Sequence, residues 1–116
     1  MSESAGAVVD EPVVTTAKPA PETARKHQPL YSVIVENDDL HTYHYVILAL
    51  SKVCGHSLEK AFELAKEIDT TGRAAVWMGA MEVAELKRDQ IKEFGPDIFA
   101  TQPVTFPLGV YIEPVA

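Results

Sequence analysis

Helix-capping residues cut this chain into three helical segments and leave room for only three short strands. Thr42 stands where an N-cap belongs and Gly55 where a helix stops, and Val46, Ile47, Leu50 and Val53 recur between them at helical spacing. Ser57 opens a second helix with Leu58, Ala61, Phe62, Ala65 and Ile68 on one face. Asp69-Thr70-Thr71-Gly72 then has the composition of a tight turn, Asp first and Gly fourth. Ala80 to Phe94 predicts a third helix, with Val83, Leu86, Ile91 and Phe94 on its apolar face and Gly95-Pro96 ending it. The remaining segments are strand-like. Tyr31, Val33 and Val35 alternate with Ser32 and Ile34, Ala74 to Met78 is built around Val76 and Trp77, and Leu108 to Glu113 sets Val110 and Ile112 against Gly109 and Tyr111. Gly95 to Thr105 is a loop longer than the usual connection. The predicted order is β-α-α-β-α-β, a single small α+β domain whose three-stranded sheet is covered on one face by three helices.

Residues 1–29 differ in kind. They hold Pro12, Pro19, Pro21 and Pro29 and no aromatic side chain, too little apolar surface to offset ordering entropy, and are predicted to form a disordered tail ahead of a core domain over 30–116. With 116 residues and 47% hydrophobic content, one core is expected. The net charge of -7, from 17 acidic and 10 basic residues, argues against a nucleic-acid partner, because phosphate contacts need clustered Lys and Arg. The lone Cys54 sits among Ile47, Leu50 and Val53 and reads as a small buried hydrophobe. The longest apolar stretch, Tyr45 to Leu50, is far short of the roughly 20 residues of a membrane span. The N-terminus carries no signal-peptide pattern, so a cytoplasmic protein without membrane association is expected.

Function is sought where strand one runs directly into Asn37-Asp38-Asp39. A strand end is a rigid platform, and these side chains offer oxygen acceptors without a cationic donor. The fitting ligands are an ammonium, a metal ion, or the chain's own backbone. A metal or hydrolytic site would draw on Asp38, Asp39, His41 and His44, which lie within seven positions. Against it stand the missing His-Glu-x-x-His pattern, the single Cys and the lack of a nucleophile–base pairing. His41 and His44 otherwise read as solvated residues on an outer helix face, His56 as part of the inter-helix turn, and Trp77 and Phe62 as core. Glu59, Glu63 and Glu67 with Lys60 and Lys66 form an ordinary solvated face.

Val35-Glu36-Asn37-Asp38-Asp39 before a helix carrying Val46, Gly72-Arg73-Ala74 entering strand two, and Glu82-Val83-Ala84-Glu85-x-Lys87 in helix three resemble the ClpS family over roughly residues 29–113. Members of that family are small, non-enzymatic adaptors that deliver proteins to the Clp ATP-dependent protease. The resemblance implies that Asn37 and Asp38 hold the free α-amino group of an N-degron client. It places Val46, Ile68 and Leu108 around the client's first side chain, and Glu82 and Lys87 on the surface that meets the N-terminal domain of the Clp AAA+ unfoldase. It implies a monomer with no cofactor and no metal, and a tail that engages the unfoldase.

Four positions depart from the family pattern. Asp69 stands where a His usually contributes to ligand binding, Tyr43 where a Met gates the pocket, His41 in place of a common Thr, and Ala65 in place of a bulkier wall residue. Asp69 is either a plain turn residue or a second carboxylate near Asp38 that would favour an arriving ammonium. Two further readings stay open. A divergent member could bind the unfoldase as a modulator without recognising N-degrons, and the C-terminal domain of the ribosomal stalk protein has a similar shape.

Overall fold

The structure, a computed structural model, describes residues 29–115, so the predicted tail lies outside the described residues apart from Pro29. The elements are β1 (Leu30–Glu36), α1 (Tyr43–Cys54), α2 (Leu58–Thr71), β2 (Arg73–Ala80), α3 (Met81–Lys92) and β3 (Gly109–Pro114). They follow the β-α-α-β-α-β order, and the sheet runs β2-β1-β3 with both pairings antiparallel.

Local chemistry sets the helix ends. The Thr42 hydroxyl accepts the Tyr45 N–H at 3.1 Å and the Ser57 hydroxyl accepts the Lys60 N–H at 3.1 Å. Gly55 closes α1 in the left-handed region, φ 76°, with its N–H on the Ser51 carbonyl. The turn expected over Asp69–Gly72 is instead the last turn of α2. The Thr70 and Thr71 hydroxyls return to the Lys66 and Glu67 carbonyls at 2.9 and 2.8 Å, and Gly72, φ 97°, donates to the Ile68 carbonyl. Asp followed by Gly at the fourth place is shared by tight turns and helix C-termini, so composition alone does not separate them.

The core lies between the sheet and the helices, with Val33, Val35, Tyr45, Leu50, Leu64, Ile68, Val76 and Ile91 at its centre. Helix phase differs from expectation in two places. α2 buries Ala61, Leu64, Ala65 and Ile68, leaving Leu58 and Phe62 exposed. α3 buries Ala84 and Ile91, leaving Val83 and Leu86 on the surface. β1 also departs from simple alternation, because Ser32 and Ile34 are buried on the face away from the core residues Val33 and Val35. Ile34 is paired between Ala75 and Tyr111 as the middle strand. On that same face, Arg73 reaches the Tyr111 hydroxyl and, at 3.2 Å, the Glu113 carboxylate.

β2 is longer than predicted and carries a bulge. Ile34 pairs with Ala75 and Val33 with Trp77, so Val76 is the extra residue, and the His56 ring bonds its carbonyl at 2.6 Å. Trp77 packs partly buried against the core with its ring over Gly79. A Cβ at Gly79 would stand 2.3 Å from an indole carbon. Gly79→Ala should therefore displace the indole and destabilise the domain by about 1–3 kcal/mol. Denaturant unfolding followed by fluorescence of this single tryptophan measures both effects.

Candidate functional site

The site grows from the end of β1. The Asn37 N–H donates to the Gly72 carbonyl at 2.9 Å, which extends the β1–β2 ladder by one residue and sets the C-terminal end of α2 beside the strand exit. Asp38 then turns the chain. Its Oδ1 accepts the Leu40 N–H at 2.9 Å and the His41 N–H at 2.8 Å, and its Oδ2 lies 2.6 Å from His41 Nδ1. Thr42 follows and caps α1, so one carboxylate folds the whole strand-to-helix junction. A carboxylate has about four acceptor positions, and three of Asp38's are taken by its own chain. The Asn37 side-chain amide is exposed and makes no hydrogen bond among the described residues.

Asp38 feels opposing influences. Burial, the largest, pushes its carboxyl up, but the bonds from the His41 backbone, the His41 ring and the Leu40 backbone, with the His41 charge, outweigh it and hold the group below the usual Asp value.

A cavity of about 130 Å³ opens at this junction. Asn37, Asp38 and Asp39 line it from the strand exit, His41, Tyr43 and Val46 from the start of α1, and Ala65, Ile68 and Asp69 from α2. The structure thus brings together eight of the nine residues expected at the amine site and its pocket, and adds Asp39. Leu108 is the exception. It is almost fully buried in the central cluster and does not line the cavity, because the chain entering β3 turns this side chain into the core.

Asp69 lies on the last turn of α2, where its Oδ2 accepts the Tyr43 hydroxyl at 2.9 Å. That bond ties α1 to α2 at the cavity, and it pushes the Tyr43 phenol above its ordinary value. Tyr43 itself lies 6.0 Å from the exposed Phe62 ring.

One histidine is not as expected. The His41 side chain is only 2% exposed, not solvated, because Asp38 and the Phe106 carbonyl, 3.1 Å from Nε2, draw it inward between the Tyr45 and Phe106 rings. His44 is exposed but stacks on Phe99 with ring centroids 3.9 Å apart. His44 is turned to Phe99 while His41 stays on Asp38, and among the described residues no three His, Cys, Asp or Glu side chains form a group that could hold an ion.

The segment between α3 and β3 is bound to the same junction through a residue the sequence did not flag. Asp97 is fully buried, and its carboxylate accepts the Thr42 N–H at 2.7 Å and the Phe99 N–H at 2.9 Å. Its backbone pairs with Val104, and the Tyr45 hydroxyl donates to the Gly95 carbonyl. An Asp after Gly-Pro in a loop carries no local signal of burial, so only the tertiary contact reveals it.

On the far side, Glu82 is exposed in the first turn of α3, beside Val83 and Leu86. Lys87 is half-buried with its ammonium on the Val53 carbonyl at 2.8 Å, so it also satisfies the end of α1. Burial pushes the Cys54 thiol up to about 11 against the opposing Lys87 charge, which leaves it inert at neutral pH. No described helix is long and apolar enough to cross a membrane.

The family described as "ATP-dependent Clp protease adaptor protein ClpS" matches residues 26–104. The chain is similar to the Clp protease adapter protein ClpS of Thermosynechococcus vestitus, with 36% identity over 83 residues spanning 71% of this chain and 88% of that one. It is similar to that of Nostoc sp., with 38% identity over 85 residues spanning 72% and 87%. Its fold matches the structure of Agrobacterium tumefaciens ClpS2 bound to L-phenylalaninamide at a TM-score of 0.62 and 27% identity, covering 77% of this chain and 100% of that one.

Replacing Asp38 by Ala strips three donors of their acceptor and should cost about 1.5–3 kcal/mol at neutral pH. Because the folded carboxyl is held below its unfolded value, its contribution is present above the ordinary Asp range and is lost as pH falls through the lowered value. Urea unfolding at neutral pH and below about pH 3 should therefore show the wild-type advantage over Asp38→Ala shrinking on acidification.

Proposed function

This chain belongs to the ClpS family of adaptors of the ATP-dependent Clp protease, and from that premise we propose that it captures proteins by a free N-terminal amine and a bulky apolar first side chain and presents them to the Clp unfoldase. One observation carries the reading: a cavity lined by the Asn37 amide, which makes no hydrogen bond among the described residues, by the carboxylates of Asp38, Asp39 and Asp69, and by Val46, Ala65 and Ile68. An α-ammonium brings three donors and a charge, and the Asn37 oxygen, the remaining Asp38 position and Asp69 supply acceptors. Acetylating the client removes that charge. The ligand in the Agrobacterium ClpS2 structure, L-phenylalaninamide, has the same chemistry, a free amine next to a benzyl group.

Cavity size ranks the clients. A dry cavity of about 150 Å³ holds a benzene molecule, so about 130 Å³ takes a phenyl or isobutyl group and is short of an indole. Tyr43, held by Asp69, bounds the space on the α1 side. Peptides led by Phe or Leu should bind at least about tenfold tighter than Trp-led, Ala-led or acetylated ones, and Tyr43→Ala should narrow the gap for Trp. Asn37→Ala should weaken all free-amine peptides by roughly tenfold or more. Fluorescence-polarisation titrations read these ratios.

A second reading, a modulator that binds only the unfoldase, is favoured by the internal use of three Asp38 acceptor positions. Equal affinity for Phe-led and acetylated Phe-led peptides decides for it.

In both readings the unfoldase docks on α3, where exposed Glu82 sits among exposed Met81, Val83 and Leu86, and catalysis belongs to the partner. Because Lys87 also bonds Val53, a Lys87→Glu exchange mixes docking with stability, whereas Glu82 makes no hydrogen bond among the described residues. Glu82→Lys should weaken binding to the isolated unfoldase N-terminal domain by about tenfold while peptide affinity stays unchanged. Surface plasmon resonance on both ligands checks the separation.

A further inference from the structure

We propose that His41 is a positioning residue of the amine site: in the free protein its imidazolium is the cation paired with Asp38, and an arriving client ammonium drives one proton off it. The inference rests on the reading that this cavity takes an ammonium.

The donor count carries it. His41 Nδ1 lies 2.6 Å from Asp38 Oδ2 and Nε2 lies 3.1 Å from the Phe106 carbonyl. A carbonyl and an ionised carboxylate only accept, and a neutral imidazole has a single N–H, so both contacts hold together only when the ring carries two protons. With 2% of its side chain exposed, wedged between the Tyr45 and Phe106 rings, the imidazole has little access to water for an unmatched nitrogen. The charged groups around it are acidic. Asp38 bonds it, Asp39 and Asp69 line the same cavity, and Asp97 holds the adjacent Thr42 N–H, while the Tyr45 hydroxyl is turned to Gly95.

An ammonium in the cavity brings a second cation to the same carboxylate. The two repel, and the imidazolium is the one that can shed charge. The Nε2–H bond breaks, its electron pair stays on nitrogen, and water admitted as the Phe106 carbonyl moves away takes the proton. The shorter Nδ1–H bond to Asp38 is kept, so the carboxylate stays oriented while the Phe106 carbonyl is released. Client capture is thereby coupled to the segment that leads into β3. By reciprocity, amine affinity rises with pH wherever binding releases a proton.

The test uses the full chain and a Phe-led peptide at about pH 6.5, where the client's α-amine, which titrates near 8, is already charged. Calorimetry in two buffers of different ionisation enthalpy should show net proton release for wild type. His41→Gln, whose amide can still donate to Asp38, should lose that release and the gain in affinity, about fivefold or more, between about pH 5.5 and 7. Nitrogen-15 spectra of the His41 ring should show both nitrogens protonated in the free protein and Nε2 deprotonated in the complex. A singly protonated ring in the free protein, or equal proton exchange by wild type and His41→Gln, overturns the inference while peptide binding upholds the adaptor reading. Absence of any binding by Phe-led peptides overturns both.

Discussion

The carboxylate of Asp38 is the point on which the site depends. Two backbone amides on one oxygen fold the chain through the turn that joins β1 to α1, and the His41 ring on the other oxygen fixes which way that turn faces. Without it, Thr42 would not be delivered to cap α1, and the first turn of α1, which carries Tyr43 and Val46 to the cavity, would lose its direction. In the proposed reading the same group is an anion for the client's amine. That reading has structure and recognition draw on one carboxylate, beside an Asn37 amide that makes no hydrogen bond among the described residues.

A second carboxylate, fully buried, ties the junction from behind. Asp97 takes the Thr42 N–H, one of the donors a helix start leaves without an intrahelical partner, and by doing so pins a long connecting segment to α1. Charge-assisted bonds of this kind are stronger than neutral ones, and a buried carboxylate without them would be costly. The Tyr45–Gly95, His44–Phe99 and His41–Phe106 contacts add three further ties along the same segment. A loop that sequence reading treats as a connector is thus one wall of the scaffold beneath the cavity.

Local rules made much of this legible. Thr42, Ser57 and Gly55 act at the helix ends because capping is decided within four residues, and the strand-to-acid junction at Asn37 is visible because strand period and turn chemistry change at the same place. The cavity was foreshadowed by the family resemblance carried on those residues, with Leu108 the residue that went to the core instead. What failed depends on three-dimensional neighbours. Phe62 and Leu86 stay outside because small residues, Ala61, Ala65 and Ala84, occupy the close-packed face of their helices. Hydrophobicity gives no weight to Ala as a contact residue, yet Ala is what allows helices and sheet to approach. His41 and Asp97 were unreadable for the same reason, since each is buried only by virtue of the other segment's arrival.

The departures at 41 and 69 are best understood together. The resemblance leads one to expect a histidine beside the end of α2 and a threonine before α1. Here the acid stands at 69 and the imidazole at 41, so the cavity keeps one imidazole and gains one carboxylate. At 69, a carboxylate cannot donate, and its link to α1 is supplied by the Tyr43 hydroxyl. At 41, the imidazole lines the cavity and contacts both the Asp38 carboxylate and the Phe106 carbonyl. The acids at the mouth, Asp38, Asp39 and Asp69 against one His41, then leave the cavity with a net attraction for a cation. Under the proposed adaptor reading, this exchange keeps acceptors for an amine and moves the histidine from the end of α2 to the start of α1.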